Sequence, residues 1–185
     1  QLSMESLGKR VCHDGNDPET ATGAVIWGAT GTGAQHAFFQ LLHQGTGVIP
    51  VDLIGVARPA TDDPRARAAS DLLITNLVAQ ADAMAFGRTA DELRADGVDE
   101  ELVAHRTTPG DRPSTGILLG ELTPSTLGQL MALQENRTVA TAALLGINPF
   151  DQWGVELGKQ MAGDLADGSA PESELLRRAR SLRED

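Results

Sequence analysis

Ala24-Val25-Ile26-Trp27, followed by Gly28-Ala29-Thr30-Gly31-Thr32-Gly33 and, after a helical stretch, by Val48-Ile49-Pro50-Val51-Asp52-Leu53-Ile54-Gly55-Val56, decides the fold class. The first four residues form an apolar run behind a polar, turn-rich segment that contains Asp14-Gly15-Asn16-Asp17-Pro18, which predicts a buried strand. The glycine-rich turn leads into residues whose apolar side chains, Ala34, Ala37, Phe38, Leu41 and Leu42, recur at three and four, with Gly45 as the stop. Residues 48–56 predict the next strand, with Asp52 its only charge. Strand, turn, helix, strand is a βαβ unit, and two strands joined through a helix run parallel. The class is therefore α/β.

Outward from this unit, residues 57–69 are rich in proline, aspartate and arginine and predict an exposed loop. Ser70 then caps a helix running through Leu73, Leu77 and Met84 to Gly87. Thr89 with Glu92 makes a capping box for a short helix, and 98–105 predicts another. Gly116-Ile117-Leu118-Leu119 predicts a strand, and Thr123-Pro124 opens a helix holding Leu127, Leu130, Met131 and Leu133. Residues 140–147 are apolar on all sides and predict burial. A linker is expected over 164–171, then a short arginine-rich helix with the stripe Leu175, Ala179 and Leu182.

Composition narrows the function classes. The 185 residues suffice for one domain or a large piece of one. A formal net charge of -11 argues against nucleic acid or an anionic membrane as partner, so an anionic ligand needs a locally positive or helix-terminal pocket. The single cysteine, Cys12, excludes an internal disulfide and fits a reducing cytoplasm, where it reads as a passive thiol. His13, His43 and His105 have no metal-ligand spacing. The chain opens on Gln1-Leu2-Ser3-Met4-Glu5-Ser6 without an initiator methionine or a helix cap, and is read as a fragment that begins inside a folded unit.

Near the other end stands Phe150-Asp151-Gln152-Trp153-Gly154-Val155-Glu156-Leu157-Gly158-Lys159. Glu156 and Lys159, three apart, would alone be an ordinary solvated helical pair. The whole ten-residue stretch resembles the signature of the glucose-6-phosphate isomerases. Gln1-Leu2-Ser3-Met4-Glu5-Ser6 with Gly8-Lys9 resembles that family's Gln-x-x-Met-Glu-Ser-Asn-Gly-Lys segment, and Gly31-Thr32 with Gln35-His36-Ala37-Phe38 resembles its Gly-Thr-Asn-Gly-Gln-His-Ala-Phe loop. The three motifs stand in the family's order. Leu7 replaces the family's asparagine, and Gly28-Ala29-Thr30-Gly31-Thr32-Gly33-Ala34 stands where the family has Gly-Glu-Pro-Gly-Thr-Asn-Gly.

The resemblance implies an aldose–ketose isomerase that interconverts glucose 6-phosphate and fructose 6-phosphate without metal or cofactor. It implies Glu5 as the carboxylate base that moves a proton between C2 and C1 through an enediolate, a role suited to a group that burial tunes toward the working pH. It implies His36 and Lys159 in ring opening and Gln1 and Gln152 beside the substrate, while the predicted helix after the glycine-rich turn places His36 in its first turn. The implied fold is a three-layer αβα sandwich with parallel sheet, of the sugar-isomerase (SIS) type. Residues 1–165 would be its C-terminal domain, truncated on the N-terminal side, and 166–185 a linker and short helix. The family's phosphate-holding domain precedes this region, and the family works as a cytoplasmic homodimer. The isolated chain is therefore expected to be inactive. Alternatives are an interaction module with the same fold, or an isomerase for another aldose phosphate.

Overall fold

Helices dominate the secondary structure in a computed structural model that describes residues 1–183. In chain order the elements are α1 (Leu2–Leu7), α2 (Gly31–Gln35), α3 (Phe39–Gln44), β1 (Val51–Val56), α4 (Pro64–Phe86), α5 (Ala90–Ala95), α6 (Glu100–Arg106), β2 (Ser114–Leu119), α7 (Pro124–Leu144), a 3-10 turn (Trp153–Val155), α8 (Glu156–Asp167) and α9 (Glu174–Ser181). Two compact units divide the chain: Trp27–Leu133 forms one, and Gln1–Ile26 with residues 134 onward forms the other.

In the Trp27–Leu133 unit, β1 and β2 pair in parallel, in register from Val51 opposite Ser114 to Val56 opposite Leu119. Between them the chain passes through α4, α5 and α6, and a connection of this length is what parallel pairing demands. The fold is thus α/β with a parallel sheet, as expected, but the crossover lies one element later than the sequence suggested. Residues 24–27 form no strand, and Val25 is 77% exposed. A short apolar run becomes a strand only where a neighbour accepts its backbone hydrogen bonds. Among the described residues the sheet contains β1 and β2 alone.

Cap chemistry moves a second boundary. The expected loop over 57–69 gives way to helix at Pro64, because Asp63 is an N-cap whose carboxylate accepts from the Arg65 N–H at 3.1 Å and Pro64 occupies the first helical turn. The single helix expected through 34–45 is broken into α2 and α3, with His36–Phe38 between them turning on bonds from the Ala37 and Phe38 N–H groups to Ala34 O. The core of this unit is Ala34, Phe39, Leu42 and Met84, with Phe38, Ile49 and Val51 packed against it. Leu93 and Val103 are buried on α5 and α6.

The Thr89–Glu92 capping box is present: the Glu92 N–H donates to Thr89 Oγ1 at 3.3 Å, while the Thr89 N–H donates to Glu92 Oε2 at 2.8 Å. The bond from the Thr89 backbone, helped by its hydroxyl, holds the Glu92 carboxyl below the usual glutamate range. A depressed carboxylate stabilises the fold above its unfolded pKa and loses that contribution as pH falls through its folded value. Thr89→Ala is expected to cost about 1 kcal/mol near neutral pH. The gap from wild type should narrow between about pH 5 and about pH 3 as Glu92 protonates. Urea unfolding at both pH values measures it; a gap that is constant or widens in acid contradicts the assignment.

In the other unit Thr138, Ala142 and Ile147 are buried, while Leu144 is 89% exposed, so only part of 140–147 meets the expected burial. The loop after α1 is tied to the end of α7: the His13 N–H donates to Gly146 O at 2.8 Å, and the half-buried Cys12 thiol donates to Leu145 O at 3.5 Å. Helix α8 continues to Asp167, shortening the linker expected over 164–171, and α9 follows with Ser173 as its cap. Among the described residues no helix is long and apolar enough to cross a membrane.

Candidate functional site

Glu5 lies on α1, a helix of six residues with no side-chain cap and no buried residue. So short a helix is not stable alone and needs ties to its surroundings. The Glu5 N–H donates to Gln1 O at 3.0 Å and the Gly8 N–H to Met4 O at 3.1 Å, which closes the helix. Glu5 is half-buried, whereas Gln1 is exposed.

The tie comes from Lys9, just beyond the helix. Its ammonium donates to Glu5 O at 2.9 Å and to Asp151 O, and forms an ion pair with Asp151 Oδ1 at 3.3 Å. The Lys9 side chain is only 13% exposed and that of Asp151 24%. A lysine ammonium has three donors, and here each faces an oxygen. Asp151 is itself held, its Oδ2 accepting from Asn148 Nδ2 at 2.8 Å, and the Asn148 Oδ1 accepts from the Phe150 N–H at 3.1 Å. Thr22 Oγ1 donates to Lys9 O.

Beyond Asp151 the chain reaches Gln152, which precedes the 3-10 turn and accepts from the Val155 N–H at 3.2 Å. Lys159 is the fourth residue of α8. In that first turn the N–H groups of the helix start carry partial positive charge, which favours an anionic neighbour. Gln152 and Lys159 are both exposed, as are Trp153, Leu157 and Met161 around them. Gln1, Glu5, Gln152 and Lys159 thus belong to one compact unit, in which Lys9 joins the Glu5 helix to the turn before Gln152.

His36 belongs to the Trp27–Leu133 unit. It is exposed and closes α2 rather than opening a helix, its N–H donating to Gly33 O at 3.2 Å. The expected position in a first turn is therefore corrected: the chain leaves α-helical geometry at Ala37 and Phe38, so His36 stands at the C-terminal end of α2. Trp27 packs edge-on against Phe38 with centroids 6.0 Å apart and planes at 85°, joining the two ends of the segment that carries His36.

Lys9, Asp151 and Asn148 were not singled out by chemistry in the sequence. Lys9 and Asp151 each stand inside a motif, but their pairing spans 142 residues and leaves no local trace. Among the described residues no group of three His, Cys, Asp or Glu side chains is placed to hold a metal ion.

A sequence model of the phosphoglucose isomerase family matches residues 1–178. The chain is 54% identical over 175 residues to a glucose-6-phosphate isomerase of Corynebacterium diphtheriae, covering 93% of this chain and 32% of that protein. It is 56% identical over 163 residues to glucose-6-phosphate isomerase 1 of Streptomyces avermitilis, covering 88% of this chain and 30% of that protein. A crystal structure of a glucose-6-phosphate isomerase from Chlamydia trachomatis superposes with a TM-score of 0.76 at 33% identity, over 99% of this chain and 34% of that one. The chain spans about a third of the length of the curated relatives it matches.

Proposed function

The chain belongs to the phosphoglucose isomerase family, and on that premise we propose that it furnishes the proton-handling part of a glucose-6-phosphate isomerase. The observation that carries this reading is the family match through residues 1–178, which spans the segments of Glu5, His36 and Lys159 in one order. The reaction moves one proton. With the sugar ring open, the Glu5 carboxylate takes the proton from C2, the electron pair left behind forms the enediolate, and the same carboxyl returns a proton to C1. Glu5, half-buried on α1, is held by its own carbonyl through Lys9, which suits a base that must keep its aim. His36 and Lys159 serve ring opening, and Gln1 and Gln152 border the sugar.

In this reading the serine and threonine residues that hold the phosphate lie in a domain of the full-length protein outside these 185 residues, which span about a third of the relatives' length. In this reading residues 1–165 form the C-terminal sugar-isomerase domain of a three-layer αβα sandwich, 166–185 a linker and terminal helix, and the whole protein a cytoplasmic homodimer. The net charge of -11 fits a ligand captured by local geometry rather than by overall attraction.

The test offers the full-length protein glucose 6-phosphate, mannose 6-phosphate and a pentose phosphate, and offers glucose 6-phosphate to the 185-residue chain alone. Conversion of glucose 6-phosphate by the full-length protein and none by the isolated chain is the expected pattern. Preference for another aldose phosphate, or turnover by the isolated chain at a comparable rate, contradicts it.

A further inference from the structure

We propose that Lys9 is a positioning residue that fixes the aim of Glu5 by locking α1 to the turn that starts at Asp151. The inference rests on the assignment of Glu5 as the base, and adds a residue to which that assignment gave no role.

Three observations carry it. First, α1 has only six residues, no side-chain cap and no buried side chain, so neither intrinsic helicity nor apolar packing holds it. Second, Lys9 is 13% exposed, and a lysine so enclosed requires oxygens around its ammonium. It finds them on two segments: the carbonyl of Glu5 itself at 2.9 Å, and both the carbonyl and the carboxylate of Asp151, the latter at 3.3 Å. Third, both ends of the clamp are anchored in turn, Lys9 through the Thr22 hydroxyl on its carbonyl and Asp151 through Asn148 at 2.8 Å.

The consequence is geometric. The ammonium binds the backbone of Glu5, leaving its carboxylate to the substrate, and binds the backbone immediately before Gln152. Loss of the clamp therefore releases the base-bearing helix from the substrate-side turn without removing any group that reacts. A shift of about 1 Å at a reacting group costs about a hundredfold in rate. Lys9→Met keeps the aliphatic stem and removes all three donors. Lys9→Arg keeps a cation with donors that can span the same oxygens.

In the full-length protein, Lys9→Met is expected to lower kcat about a hundredfold with KM within about threefold of wild type. Lys9→Arg is expected to recover at least about a tenth of the wild-type kcat. Hydrogen exchange on the same proteins should show faster exchange in Lys9→Met at the Glu5 and Gly8 amides and at the Val155 amide, whose acceptors are Gln1 O, Met4 O and Gln152 O. A Lys9→Met protein that keeps wild-type kcat, or one in which KM rises and kcat does not fall, overturns the positioning role. Inactivity of the wild type on every sugar phosphate overturns the proposed function instead; the clamp is then decided by hydrogen exchange, and unchanged rates at those three amides overturn it.

Discussion

Glu5→Gln is expected to lower the rate of glucose 6-phosphate isomerisation by about 10²–10⁴-fold in the full-length protein, with substrate binding retained. The substitution preserves the length of the side chain and its ability to hydrogen-bond, but an amide cannot take a proton from carbon. The loss should fall on kcat and on exchange of the C2 proton with solvent, because the proposed role of the carboxylate is to form the enediolate rather than to hold the sugar. Helix α1 should survive the change, since its ties run through the Glu5 backbone: the N–H to Gln1 O and the carbonyl from Lys9. Deuterium exchange at C2 measures the effect. Exchange preserved at the wild-type rate removes Glu5 from the role of base.

Gly110→Ala should be among the most damaging single substitutions for stability, at about 2–5 kcal/mol, the sum of a left-handed backbone penalty and displacement of packed neighbours. Gly110 has φ +67°, and a Cβ there would lie 2.6 Å from Phe86 C and 2.8 Å from Gly87 N. These are backbone atoms at the end of α4, which no rotamer change can move aside. Gly87, at φ +63°, faces the same approach, with a Cβ 2.2 Å from Thr108 O. The two glycines let residues 108–112 run against the end of α4, where the Arg88 N–H bonds to Thr108 O at 2.8 Å and the Arg112 N–H to Met84 O at 2.9 Å. Met84 is fully buried beneath this junction. Gly97 supplies the control, since its φ is +75° but no atom lies within 4 Å of its Cβ position. Gly97→Ala should cost only about 1–2 kcal/mol. Denaturant unfolding of both variants separates close approach from conformation alone; equal losses would mean that the approach between Gly87 and Gly110 contributes nothing.

Signals that act within a few residues were readable from the sequence, because their physics is local. Thr89 with Glu92 formed its capping box and Thr123 caps α7, the Thr126 N–H donating to its hydroxyl at 3.1 Å. Asp63-Pro64 is equally local, but the proline, aspartate and arginine content of 57–69 masks the cap, so the start of α4 at Pro64 is hidden within what reads as a loop. Residues 24–27 failed differently, since a strand is a property of two segments and no sequence run contains its partner. The helix break at His36 follows from bonds to Ala34 O that the apolar spacing of three and four conceals.

For the site, the motif positions were legible and their supports were not. Glu5, His36 and Lys159 stood out because each sits in a dense motif, whereas the clamp between Lys9 and Asp151 depends on folding across 142 residues. Lys9 looked like a motif residue of no special chemistry. Its enclosure, with an oxygen for each donor, exists only once α1 and the turn at Asp151 are brought together.

The most direct test of the central claim, that this chain carries the base of an aldose–ketose isomerase, follows fructose 6-phosphate in deuterium oxide with the full-length protein. Glucose 6-phosphate carrying deuterium at C2, formed by wild type and not by Glu5→Gln, is the result expected of a carboxylate working through an enediolate. Absence of turnover, or glucose 6-phosphate formed without deuterium at C2, would contradict it.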